Sequence, residues 1–83
     1  MDAKKNRIGN RLREARLSER PKATQEDVSA RLAIMGVSLS ASSIGKIENG
    51  TRPVTDIQLC ALAKALKVTP AWLLGEAAEK TRS

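Results

Sequence analysis

The sequence predicts an all-α domain of five short helices, and three observations predict it. Apolar residues recur at spacings of three and four. Four of the runs open on a Ser or Thr, and three close on a Gly, which are the start and stop signals of helices. No segment shows strand-like alternation, internal repetition or low complexity.

Residues 1–6 (MDAKKN) have no periodicity and read as a basic N-terminal arm that frays. From Arg7 to about Ser18, Ile8, Leu12 and Ala15 make one modest apolar stripe, with Arg7, Arg11 and Arg13 largely off it. Pro21 in SERPKA breaks the pattern and marks a turn. Thr24, followed by Gln25-Glu26-Asp27, caps a second helix, on which Val28, Leu32 and Met35 share a face and Gly36 is the stop; Ile34 lies off that face. Ser40 opens a third helix that ends at Asn49-Gly50. At 100° per residue, Ile44, Ile47 and Ser40 share its inner side, while Ser42, Gly45, Lys46 and Asn49 share its outer side. On these residues alone it is equally a short amphipathic helix with a solvated face. Thr55-x-x-Gln58 reads as a capping box, and Leu59, Leu62, Ala63 and Leu66 give the fourth helix its buried stripe. Thr69-Pro70 opens a last short helix stopped by Gly75, and a polar tail follows at 76–83.

Composition excludes several classes of function. At 83 residues the chain makes one domain, and a partner subunit would help to stabilise it. One Cys and no His leave no disulfide framework, no zinc set and no His-based catalytic system. Cys60 sits in an apolar run and reads as a core thiol. Neither a membrane span nor a secretion signal is read in the sequence, so a cytoplasmic location is expected. Neither an enzymatic activity, a cofactor, a metal nor a small-molecule ligand is expected.

Of the net charge of +6, residues 1–22 carry +5. Such a field attracts polyanions, although a basic arm can also merely solvate a terminus. No Phe or Tyr is present to stack single-stranded bases, so duplex DNA is the better target.

TQEDVSARL, then SSIGKIENG, then LCALAKALKVTPAWLLG resemble, in that order and from about Ile8 to Gly75, the Cro/repressor-type (XRE-like) helix-turn-helix DNA-binding family. The resemblance implies a compact five-helix, lambda-repressor-like domain over 7–75, with its third helix in the major groove. By family position Gln25 braces that helix and bonds a phosphate. Ala41, Ser42, Ser43 and Lys46 face bases, while Asn49, Thr51 and Arg52 approach phosphate. Arg16 and Glu48 occupy positions that pair beneath the DNA-binding unit, and Glu48 lies near enough to the inner face to need such a partner. Gly45 joins the base-facing set from the helical wheel, where it suggests close approach to DNA or, equally, a tolerated weak residue.

Two departures from the family stand out. Between Gln25 and Glu48 the chain is longer by about five residues, placed around Ala33 to Val37, where a longer second helix and a looser link could absorb them. Ser29 stands where Ala is usual.

The function implied is that of a small dimeric regulator, a repressor by preference, encoded by a bacterium or phage and bound to a palindromic duplex operator. An antitoxin-type module that neutralises a partner protein and binds DNA secondarily is the alternative. Trp72, Leu73 and Leu74 are candidates for the dimer interface, with burial of Trp72 inside the monomer equally open.

Overall fold

Helix starts follow the hydroxyl positions. In the computed structural model, which describes residues 3–76 and side chains from Ile8 onward, the helices are α1 (Ala3–Leu17), α2 (Gln25–Ile34), α3 (Ala41–Glu48), α4 (Asp56–Leu66) and α5 (Pro70–Leu73). No strand occurs among the described residues. Thr24 Oγ1 accepts from the Asp27 amide at 3.0 Å, and the Asp27 carboxylate accepts from the Thr24 amide at 2.9 Å, a reciprocal pair satisfying two otherwise orphaned donors. Those bonds, led by the one from the Thr24 backbone, hold the Asp27 carboxyl below its ordinary pKa. Thr55 and Gln58 repeat the arrangement at α4. Ser40 and Thr69 cap α3 and α5 through their hydroxyls alone. The helix α1 begins at Ala3, so residues 3–6, read from sequence as an arm, are helical in backbone. Met1, Asp2, the side chain of Arg7 and the tail beyond Glu76 lie outside the described residues.

Helices α2 to α5 all end in the same way. The amide of Val37 donates to the Leu32 carbonyl at 2.9 Å and that of Gly36 to Ala33 at 3.0 Å; matching pairs close α3 at Gly50, α4 at Lys67 and α5 at Gly75. The turn needs a left-handed residue at its centre, which Gly36, Gly50 and Gly75 supply with φ of 82°, 78° and 78°. At α4 a lysine does it, Lys67 at φ 61°. Its Cβ makes that conformation costly.

The core forms where α1 packs against α3, α4 and α5 while α2 packs against α3 and α4. Leu12, Val28, Leu32, Ile44, Ile47, Leu62 and Leu73 are each at most 1% exposed. Ala15, Leu66 and Val68 are also buried among them, and Leu59 packs against the cluster from its edge. Trp72 is 3% exposed, with the Arg11 guanidinium 4.7 Å from its ring centroid. Trp72 and Leu73 therefore belong to the monomer core, which removes them as exposed interface anchors; Leu74 alone of the three keeps partial exposure.

Two other apolar expectations are corrected. Met35 was assigned to the buried face of α2 but is the residue at which the helix ends; the chain turns away there, and its side chain is 40% exposed. Cys60 is exposed and not a core thiol. It lies about 100° around α4 from Leu59, so burying Leu62, Ala63 and Leu66 turns it outward. Ile34, off the α2 stripe, is 87% exposed.

A surface ion pair ties three elements together. Arg31 on α2 donates to both Glu19 oxygens at 2.8 and 2.9 Å and to the Ala65 carbonyl on α4 at 3.1 Å. The hydrogen bond from Arg31 is the main cause of a Glu19 pKa below its ordinary value, with desolvation opposing it.

Two measurements check these readings. Lys67→Gly removes the left-handed strain and is expected to raise stability by about 1 kcal/mol, or roughly 4–8 °C in melting temperature. A folded-state pKa depressed below the unfolded one gives stability that is present above the unfolded value and is lost as pH falls through the folded value. Thermal stability should therefore decline as pH falls below the ordinary carboxylate value of 4.5. Glu19→Gln should be less stable than wild type at neutral pH, by under about 1 kcal/mol because the pair is partly exposed, and the difference should vanish in acid.

Candidate nucleic-acid interface

The position of α3 is set by one carboxylate. Glu48, in its last turn, accepts from Arg16 Nε at 2.8 Å and from Arg16 Nη2 at 2.9 Å, a two-pronged contact with α1. Gln25 Nε2, at the start of α2, donates to the same Glu48 Oε1 at 3.2 Å, and Arg16 Nη1 donates to the Ala23 carbonyl at 3.1 Å. Side-chain exposure is 12% for Arg16 and 5% for Glu48, so the charges sit largely out of water with their partners in place. Gly9 completes the contact. A Cβ there would lie 2.5 Å from the Glu48 carbonyl oxygen and 2.6 Å from that of Ile47, so α1 can approach the end of α3 only with hydrogen at this position. Sequence reading passed over Gly9, although a glycine three residues before Leu12, on the apolar side of a helix, was the available signal.

With Ile44 and Ile47 buried and Glu48 drawn inward, the outward side of α3 presents Ser42, Lys46 and Asn49, spaced four and three apart and all exposed. Thr51 follows them, its hydroxyl bonded to the Lys46 carbonyl at 3.1 Å. The other residues assigned to this face are placed differently. Ser43 is half-buried, accepts from Arg52 Nη1 at 3.2 Å and is bonded to the Ser40 hydroxyl at 3.1 Å. Arg52 is thus folded back over the first turn of α3. Gly45 does not sit on the outer row: a Cβ there would meet the Gln25 amide at 3.3 and 3.4 Å, so its smallness serves the crossing of α2 and α3. Ala41 is half-buried and lines an open cleft with Arg16, Lys22, Thr24 and Gln25 at the start of α2. Lys22, unremarked in the sequence, is exposed beside that cleft.

The chain between α2 and α3 forms a link, 35–40, which the protein ties down. Leu39 is 4% exposed and fills the core beneath it. Ser29 Oγ, on α2, donates to the Leu39 carbonyl at 2.6 Å. The Ser29 hydroxyl is the polar anchor of the link.

A family model described as a helix-turn-helix domain matches residues 7–73. The chain belongs to the helix-turn-helix family. It is also similar to the restriction-modification controller protein C.AhdI from Aeromonas hydrophila, with 30% identity, a TM-score of 0.72, and coverage of 87% of this chain and 98% of that one. No curated protein is significantly similar in sequence. As a helix-turn-helix protein the chain is a DNA-binding regulator of transcription. Among the described residues no cluster of His, Cys, Asp or Glu could hold a metal ion, and no helix is long and apolar enough to cross a membrane.

Glu48→Ala leaves the Arg16 guanidinium half-satisfied in a largely dry site and is expected to cost on the order of 3 to 5 kcal/mol. Chemical denaturation of the two proteins measures it, and an unchanged midpoint would show that α3 is held by packing alone.

Proposed function

We propose that the protein is a homodimeric repressor that binds a palindromic duplex operator by seating α3 in the major groove of each half-site. The observation that carries the reading is the exposed row Ser42, Lys46 and Asn49 on a helix held from beneath by Arg16, Glu48 and Gln25. A short helix with a polar outer row and a fixed base has the form the major groove accepts.

Lys46 is the residue with the reach to bond guanine O6 and N7, and Ser42 the one short enough to meet a neighbouring base edge. Ala41, at the rim, supplies apolar contact to a thymine methyl. Asn49, Thr51 and Arg52 take phosphates on one side of the groove. Gln25 and Lys22 take them on the other, beside the α2 N-terminus, where the helix dipole favours an anion. Ser43 has a lesser part in this account, since its hydroxyl already accepts from Arg52. The likeness to a restriction-modification controller protein supports a regulatory role.

Selection of bound duplexes from a random pool, followed by titration of the best site against wild type and Lys46→Ala at several salt concentrations, tests the proposal. Enrichment of a palindrome is expected, with affinity falling steeply as salt rises. Lys46→Ala should lose about 1–3 kcal/mol of discrimination at one base position per half-site. A pool with no enriched sequence, together with a mutant that binds like wild type, would show that α3 does not read DNA.

A further inference from the structure

Among the described residues the large apolar side chains left most exposed are Ile34, Met35 and Ile57. Met35 and Ile57 line one open groove, together with Val37, Cys60 and Ala61, and its charged members are Asp56 and Lys64. Ile57 is 75% exposed on α4, a helix whose opposite side is fully used by the core. Ile57, Cys60 and Lys64 follow one another at spacings of three and four and are all exposed, so α4 carries a second row that the monomer leaves uncovered, while Ala61 beside them is buried in the core.

Charge placement indicates what covers it. Asp56 and Lys64 lie four residues before and four residues after Cys60, along a single i±4 ridge. Neither is ion-paired to another described residue. When two copies of such a ridge cross antiparallel about a two-fold axis at Cys60, the acid of each meets the base of the other, twice, and the apolar residues between them meet their equivalents. A surface complementary to itself in both charge and apolar content is what an isologous interface requires.

We propose that the occupant of this groove is a second copy of the chain, with α4 packed antiparallel on α4 about Cys60. The inference rests on the homodimer reading and names its interface. It replaces Trp72 and Leu73, which the core has taken, with Ile57, Met35 and Cys60.

Sedimentation equilibrium of the full chain under reducing conditions tests it with four variants. Ile57→Arg is expected to shift the protein to monomer by at least tenfold in dissociation constant, while its circular dichroism and melting, read at a concentration where wild type is also monomeric, stay unchanged. Asp56→Lys and Lys64→Asp should each weaken the dimer by on the order of tenfold through two like-charge contacts, and the double exchange D56K/K64D should recover most of the loss. In wild type, mild oxidation should join Cys60 to Cys60 of the second copy, since a crossing at that residue brings the thiols within bonding range. A dimer that ignores all four variants and does not cross-link overturns this interface and leaves the homodimer reading standing. A chain that is monomeric both free and on its selected operator overturns both.

Discussion

Glu48 is the constraint on which the arrangement depends. It ends α3, yet its carboxylate is held by α1 through Arg16 and by α2 through Gln25, so the helix is fixed at its base by two neighbours at once. A carboxylate with 5% exposure would be costly to bury without partners; with three N–H donors converging on it, leaving the site is the costly alternative. The same geometry explains Gly9. Bringing Arg16 within reach of Glu48 draws α1 onto the last carbonyls of α3, and only a residue without a Cβ permits that distance. Gly45 plays the matching part at the α2 crossing, where the Gln25 amide lies over it.

The helix ends show a second economy of means. A left-handed residue after α2, α3, α4 and α5 closes the final carbonyls and turns the chain back toward the core, so the next element begins close by. After α2 this is followed by Val37 against the core edge, Leu39 inside it and the Ser29 bond to the Leu39 carbonyl. The link thereby keeps a defined path. One buried leucine and one hydroxyl restrict the freedom of the link between the two helices.

Element order, caps and most of the core were legible in the sequence because each is written locally. Thr24, Ser40, Thr55 and Thr69 announce their helices, and period-three-and-four leucines and isoleucines announce the faces. What was not legible depends on who else competes for the core. Cys60 and Met35 look buried in their own segments, but α4 can turn only one face inward and α2 stops before Met35 completes its stripe. Trp72 could not be placed until α1 packed on α5 and laid Arg11 over its ring. On α3, helical spacing put Ser42, Lys46 and Asn49 on the side that is exposed and misplaced Gly45, because a wheel orders residues around an axis without saying where the neighbouring helix crosses. Glu19 and Arg31 escaped notice since they meet across twelve residues with no pattern to join them.

On the proposed reading, these placements narrow how the protein could distinguish sequences. Arg52, the long cation nearest Lys46 in sequence, is directed back onto Ser43, and Ser43 is occupied by it. With Asn49 turned to phosphate, the exposed residues of the row that remain free to meet base edges are Ser42, which is short, and Lys46, which is long. A serine hydroxyl both donates and accepts, so it bonds most base edges and separates few of them. Direct readout of a half-site then rests mainly on Lys46, worth a few kcal/mol at one base pair. The rest of the discrimination has to come from duplex shape. An assembly that clamps phosphates rigidly on both sides of the groove, through Gln25 and Lys22 at one edge and Asn49 to Arg52 at the other, converts differences in groove width and bendability into differences in binding energy. The stiffness conferred by the Arg16, Glu48 and Gln25 contacts is what such readout requires, because a helix free to tilt would follow any duplex and discriminate none.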